Sequence, residues 1–287
     1  MTASGKQVIV LCFTVCLAFG ISAAAVAQNP QDVKVQPADT ILIHGKIYTV
    51  NAKQPWAHAV AVSGEKIVAV GDDAEIEKLR GPGTKVIDAD EKLVLPGFVD
   101  CHIHFLEGSI SLGQANLEGA KNPADIQRIL REYAQKHTGD AWILGGGWNY
   151  AMFGRENLPN KKYLDELFPD RPVFLVGYDG HTSWANSKAL ALAGVNKNTP
   201  NPANGAIVRD PKTGEATGAL KESAGSLVGK LVPKPTNTEK LTALRAGIHW
   251  ANENGLTRVH SAGGDFEEFD LYDELRRHGD LTLRMYI

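Results

Sequence analysis

The feature that most limits what this chain can become is a change of rhythm at Leu95-Pro96-Gly97. Before it, short apolar runs follow one another at residues 40–44, 46–50, 59–62, 66–70, 86–88 and 92–95. Turn formers separate them, among them Ser63-Gly64-Glu65 and Gly71-Asp72-Asp73. Strands this short and this closely spaced predict a small antiparallel sheet or half-sandwich. A short helix over residues 74–79 interrupts it. After Gly97, strand-like runs alternate with helical ones. Asn122 and Pro123 supply a cap and a first-turn proline, and Ile126, Ile129, Leu130 and Tyr133 recur at helical spacing. Strands are predicted at 141–144, ending in Gly145-Gly146-Gly147, and at 173–176 after Arg171-Pro172. Asn186 starts a short helix that stops at Gly194. Thr236 and Glu239 form a capping box, Leu241, Leu244, Ile248 and Ala251 make a buried stripe, and Asn254-Gly255 ends that helix. A strand at 257–260, a helix at 266–278 stopped by Gly279, and a strand-like run at 281–287 complete the chain.

Such alternation predicts an α/β fold with a parallel sheet or a (β/α)8 barrel. A barrel needs eight strand–helix units, and about three or four are legible here. The last run has no turn or cap after it, so the expectation is an incomplete barrel beside the N-terminal β-rich part.

The first residues are read apart from the fold. Lys6 precedes an apolar run from Val8 to Ile21, and Ala25-Val26-Ala27 matches the small-residue pattern of a signal peptidase site. The expected organisation is therefore a signal peptide at 1–27, a β-sandwich subdomain at 28–95 and the first part of a barrel at 96–287. Cleavage before Gln28 implies a periplasmic or secreted protein. Uncleaved, the segment would be a membrane anchor, the only membrane contact foreseen. Two of the 3 cysteines, Cys12 and Cys16, fall inside that segment, leaving Cys101 alone and no intramolecular disulfide. Cys101 itself reads as a small buried hydrophobe. The formal net charge of -3 and the lack of any basic run argue against nucleic acid as a partner.

The chemistry concentrates in Pro96-Gly97-Phe98-Val99-Asp100-Cys101-His102-Ile103-His104. Residues two apart on a strand face one side, so His102 and His104 project together, with Asp100 on that side. Two imidazoles so placed can hold one divalent cation. At the C-terminal end of a first barrel strand they would stand on the active-site face.

With these residues the sequence resembles the amidohydrolase superfamily, and within it the amidohydrolase-3 branch of YtcJ-like and N-substituted formamide deformylase-like proteins. The likeness runs through Gly146-Gly147-Trp148, Leu164-Asp165, Asp179-Gly180-His181, Trp184-Ala185-Asn186-Ser187, residues 217–222 and Asn254-Gly255-Leu256-Thr257. It covers the N-terminal portion of such a protein. The resemblance implies a distorted barrel beside a small β-sandwich and one or two divalent ions, usually zinc. It also implies a water activated by that metal for attack on an amide-type, non-peptide C–N bond of a small molecule. It implies a late histidine pair, a bridging lysine and a last-strand Asp acting on the proton, for which the chain offers no match. The catalytic residue is therefore unknown, and the expected last-strand Asp would lie beyond Ile287. The alternative is a non-catalytic remnant or binding protein of the same fold. An oligomer is compatible with either.

Other candidates stay open between two readings each. His181 polarises a substrate carbonyl or merely orders a turn. Glu222 is a carboxylate near the metal or a solvated charge at a helix start, and Lys221 is a minority choice for the carboxylated lysine. His260 and Trp148 line the pocket or pack the core. The glycine run is no phosphate loop, since no Gly-Lys-Ser/Thr follows, and Ser261 lacks the context of a nucleophile elbow.

Overall fold

The computed structural model describes residues 36–156 and 158–287. The signal segment expected at 1–27 lies outside them. Among the described residues, no helix is long and apolar enough to cross a membrane. The chain divides into two compact units, one ending at Pro96 and one starting at Gly97.

The first unit contains β1 (Thr40–Ile43), β2 (Lys46–Tyr48), β3 (Trp56–Ala57), β4 (Ala59–Ser63), β5 (Lys66–Gly71), α1 (Asp73–Ile76), β6 (Lys85–Asp88) and β7 (Leu93–Val94). Alternate residues of a strand face opposite sides. Ile41 and Ile43 of β1 and Ala59 and Ala61 of β4 thus enter one core, closed by Ile76 of α1. Two small sheets result, ordered β5-β4-β1-β6 and β3-β2-β7. The expected antiparallel sheet or half-sandwich is antiparallel only in part. β1 pairs with β6, and β2 with β7, in parallel. Each of those partners returns only after a long excursion through other strands, which lets the chain re-enter in the same direction.

The second unit is mixed α/β and holds two separate sheets. One joins β8 (Phe98–Ile103), β15 (Leu256–Ser261) and β16 (Arg284–Tyr286), all parallel, in the order β16-β15-β8. Three helices cover one face: α2 (Phe105–Ser111), α7 (Asn237–Glu253) and α8 (Phe266–His278). Their shared core contains Phe105, Leu244, Ile248, Ala251, Val259, Leu271 and Leu275. The helix limits follow from local chemistry. Thr236 and Glu239 form the reciprocal capping box of α7, Asp265 caps α8, and Gly279, at φ 79°, ends α8 in the left-handed region.

The other sheet has six strands in the order β13-β14-β12-β11-β10-β9. They are β9 (Ala115–Asn116), β10 (Ile143–Trp148), β11 (Val173–Gly177), β12 (Thr182–Ala185), β13 (Gly205–Arg209) and β14 (Ala216–Glu222). The helices α3 (Pro123–Lys136), α4 (Lys162–Asp165), α5 (Ser187–Leu192) and α6 (Ser226–Gly229) accompany them. Side chains alternate into two cores. Ile143, Trp148, Val173, Leu175 and Trp184 pack with Ile126 and Leu130 of α3 on one face. Leu144, Phe174, Ala185 and Leu220 pack with Ala189 and Val228 on the other.

This sheet corrects two expectations. The strands at 143–148 and 173–177 do not continue the parallel sheet of β8. They pair with each other in parallel, β10 also with β9 and β11 with the antiparallel strand β12, which in turn pairs with β14. The glycine run also lies inside β10 rather than beyond it. At Gly145 a Cβ would run into the Ala115 carbonyl of β9, so a bare Cα is what permits that close pairing.

Candidate metal centre

His102 is the penultimate residue of β8, and His104 stands between β8 and α2, with a backbone (φ −99°, ψ 84°) that is no longer extended strand. Both are exposed. Their rings nevertheless lie together, centroids 5.8 Å apart and planes at 89°. With Zn–N bonds of about 2.0–2.1 Å, two imidazoles on one tetrahedral ion have centroids roughly 5 Å apart. The ring spacing is thus close to that of two ligands on one ion. The pair does not amount to a whole set: among the described residues, no group of three or more His, Cys, Asp and Glu side chains is arranged to hold a metal. Asp100 is half-buried, and its Oδ1 accepts the His102 N–H at 3.0 Å. The β8–β15 register shifts between Asp100 and Ile103, so simple alternation does not carry across the motif.

Cys101 is exposed, which corrects its reading as a buried hydrophobe. Among the described residues β8 is an edge strand paired with β15 alone, and Cys101 does not join the core under the covering helices. His260 is half-buried on β15 between Val259 and Ser261, which are both buried. Alternation turns His260 to the face of the sheet away from the helices. Its ring lies 5.1 Å from that of Tyr286 on β16, its partner in register.

The remaining candidates belong to the six-stranded sheet. Trp148 is fully buried, edge-on to Tyr150, Phe153 and Trp184, and so packs the core. His181 and Glu222, 41 positions apart, meet at the end of β14, where His181 Nδ1 lies 3.2 Å from Glu222 Oε2. The Glu222 N–H also donates to the His181 carbonyl at 2.8 Å. Glu222 is exposed and is the residue before a 3-10 turn, Ser223–Gly225, as the helix-start reading has it. It ends β14 with φ 50°, a conformation uncommon outside glycine. Its hydrogen bond and charge raise the His181 pKa above the usual histidine value. Lys221 is exposed beside it.

Sequence reasoning missed the part played by Tyr150, whose hydroxyl donates to Asp179 Oδ2 at 3.0 Å and lies 2.9 Å from Thr182 Oγ1. Burial works to raise the Asp179 pKa, but bonds from the His181 N–H and the Tyr150 hydroxyl hold it below the usual range. No spacing signal links Tyr150 to Asp179. Only the pairing of β10 with β11 brings them together. Among the described residues, no hydrogen bond joins this cluster to His102 or His104.

A profile of the Amidohydrolase family matches residues 85–286. The chain belongs to the amidohydrolase family. It is 33% identical over 242 residues to the YtcJ protein of Bacillus subtilis (strain 168), covering 84% of this chain and 44% of that protein. It is 31% identical over 198 residues to the N-substituted formamide deformylase of Arthrobacter pascens, covering 67% of this chain and 36% of that enzyme. Among solved structures, an uncharacterized metal-dependent hydrolase from Pyrococcus horikoshii OT3 superposes with a TM-score of 0.60 at 25% identity, over 86% of this chain and 47% of that one. The chain thus spans less than half the length of these relatives. These matches place it in the amidohydrolase-3 branch, as the motifs around His102 and Trp184 imply.

Proposed function

We propose that this chain supplies the metal-gripping part of a hydrolase of non-peptide C–N bonds in small molecules, with His102 and His104 as two ligands of a divalent ion. One observation carries the reading: two exposed imidazoles stand at right angles, 5.8 Å apart, where a parallel strand meets its helix. The formamide deformylase likeness supports an amide-type bond, and the metal-dependent hydrolase likeness supports the ion. Zinc is the divalent ion best matched to a pair of imidazoles. When bound, it lowers the pKa of a water toward neutrality. The chain's own residues orient and enclose. The Asp100 carboxylate fixes the His102 backbone, and His260 lines the same open face of β15. β8, β15 and β16 are read as the first three parallel strands of a (β/α)8 barrel, with the six-stranded sheet inserted between the first two.

The test is zinc binding at equilibrium, measured by titration against a chromophoric chelator. The parent chain should bind zinc, while His102→Ala and His104→Ala should each bind it more weakly, with little change in thermal midpoint, as for other exposed positions. Equal zinc affinity in all three proteins would end the proposal. The Ala25-Val26-Ala27 site leads us to propose export as well. The intact mass of protein recovered from a bacterial periplasm should then begin at Gln28, and a chain retaining residue 1 would refute it.

A further inference from the structure

The clearest buried charge of the second unit lies behind the histidine pair. Glu268 occupies the third position of α8, where a glutamate commonly reaches back to the cap residue's backbone N–H. Here it turns inward and is only 6% exposed. Its Oε1 accepts the Tyr272 hydroxyl at 2.7 Å and the Ser261 hydroxyl at 3.4 Å. Ser261, also 6% exposed, accepts the Phe105 N–H on the same Oγ at 3.4 Å. Burial, then the Glu268 carboxylate, pushes the Tyr272 hydroxyl pKa far up, so Tyr272 stays a donor.

The far end of this chain of bonds is the first residue of α2. The first N–H groups of a helix have no partner within it, and a cap side chain usually supplies one. The cap residue of α2 is His104, and its side chain makes no capping bond. Ser261 does that work from β15, while the Ala262 N–H donates to the Ile103 carbonyl at 2.7 Å. The β8–α2 junction is held on both sides of His104, and the imidazole is left free. The glycine turn runs close to both groups. A Cβ on Gly264 would press on Glu268 Oε2 at 3.0 Å, and one on Gly263 would lie 3.9 Å from His104 Nδ1. Burying a carboxylate is costly unless it is fully engaged. An apolar side chain here would serve packing alone equally well.

We propose that Glu268 is a positioning residue for His104: through Ser261 it fixes the Phe105 amide, and so aims the neighbouring imidazole at the ion. This rests on the reading of His104 as a ligand. The test uses the full chain with Glu268→Gln, Ser261→Ala, Ser261→Thr and, as a control, the exposed Glu267→Gln. Zinc affinity is measured by competition with a chromophoric chelator, and Phe105 amide exchange is measured without metal. Loss of a group that orients a metal ligand typically costs about 10- to 100-fold in affinity. That loss is expected for Glu268→Gln and Ser261→Ala, with Phe105 exchange accelerated by a similar factor. Ser261→Thr, which keeps the hydroxyl, should restore both, and Glu267→Gln should change neither.

Parent-like affinity and exchange in Ser261→Ala would overturn the proposal, whether or not Glu268→Gln folds. If His102→Ala and His104→Ala lose zinc while Ser261→Ala keeps it, only the positioning role fails. If the histidine variants keep zinc, the metal reading fails and takes the positioning role with it.

Discussion

The two sheets of the second unit solve the same packing problem to different extents. The six-stranded sheet is covered on both faces, by the core around Ile126 and Trp148 and by that around Leu190 and Leu220. The β16-β15-β8 sheet is covered by helices on one face only. Its other face carries His260 and leaves Val99 and Tyr286 more than half exposed. An all-parallel sheet is ordinarily buried on both faces. The sheet that is finished carries mostly packing; the one left open carries the histidine pair. Stability and candidate chemistry should therefore respond to different substitutions.

The largest expected effect falls on the finished sheet. Trp184 is fully buried and packs edge-on against both Trp148 and Phe153. Replacing it with alanine should cost about 3–5 kcal/mol of stability, from lost transfer energy and the cavity left behind. Denaturant unfolding measures the cost, and zinc retention of the folded fraction measures the separation. A loss under about 1 kcal/mol, or a selective loss of zinc, would show that the two sheets do not divide the work in this way.

How much of this division was legible in the sequence depended on distance along the chain. The helix limits were legible because Asn122, Thr236, Glu239 and Gly279 act within a turn of themselves. The buried stripe of α7 was legible for the same reason. His102 and His104 could be singled out because two residues and one strand bring them together. Of the six-stranded sheet only β10 and β11 were legible as strands; their pairing and the other four strands were not. β14 is Ala-Thr-Gly-Ala-Leu-Lys-Glu, poor in β-branched and aromatic residues, and is a strand because β12 and β13 flank it. β10 carries three glycines that look like a loop until Ala115 is set beside them. The inward turn of Glu268 was invisible too, since a glutamate at that helix position ordinarily faces the cap.

A smaller effect tests the seam between strand and helix within the finished sheet. Asn186 is fully buried. Its Oδ1 accepts the N–H groups of Val173 and Ala189, and its Nδ2 donates to the carbonyls of Phe168 and Arg171. Asn186→Ala removes the cap of α5 and leaves the Val173 N–H without a partner. Each buried polar group so stranded costs about 1–3 kcal/mol, so a loss of about 2–4 kcal/mol is expected, with zinc retention unaffected. A shift in unfolding midpoint too small to resolve would mean that water replaces the asparagine, and that this seam is less dry than the finished sheet requires.

The smallest effect concerns the His181–Glu222 pair at the end of that sheet. The Glu222 hydrogen bond holds the His181 pKa above its usual value. A raised folded pKa adds stability that is fully present below the unfolded histidine value of about 6.5. That stability is lost as the pH climbs through the folded value. Both side chains are more than half exposed, so the gain is small and screened by salt. NMR titration of the His181 ring is the sensitive measure. Glu222→Gln should lower its pKa toward that of a free histidine, and the parent value should fall toward the same limit at high salt. The pH dependence of unfolding should change only slightly. A titration indifferent to both the substitution and the salt would mean that Glu222 does not set the charge of His181. The strained backbone at Glu222 would then have no electrostatic return, leaving the hydrogen bond from its N–H to the His181 carbonyl as what holds the strand end in place.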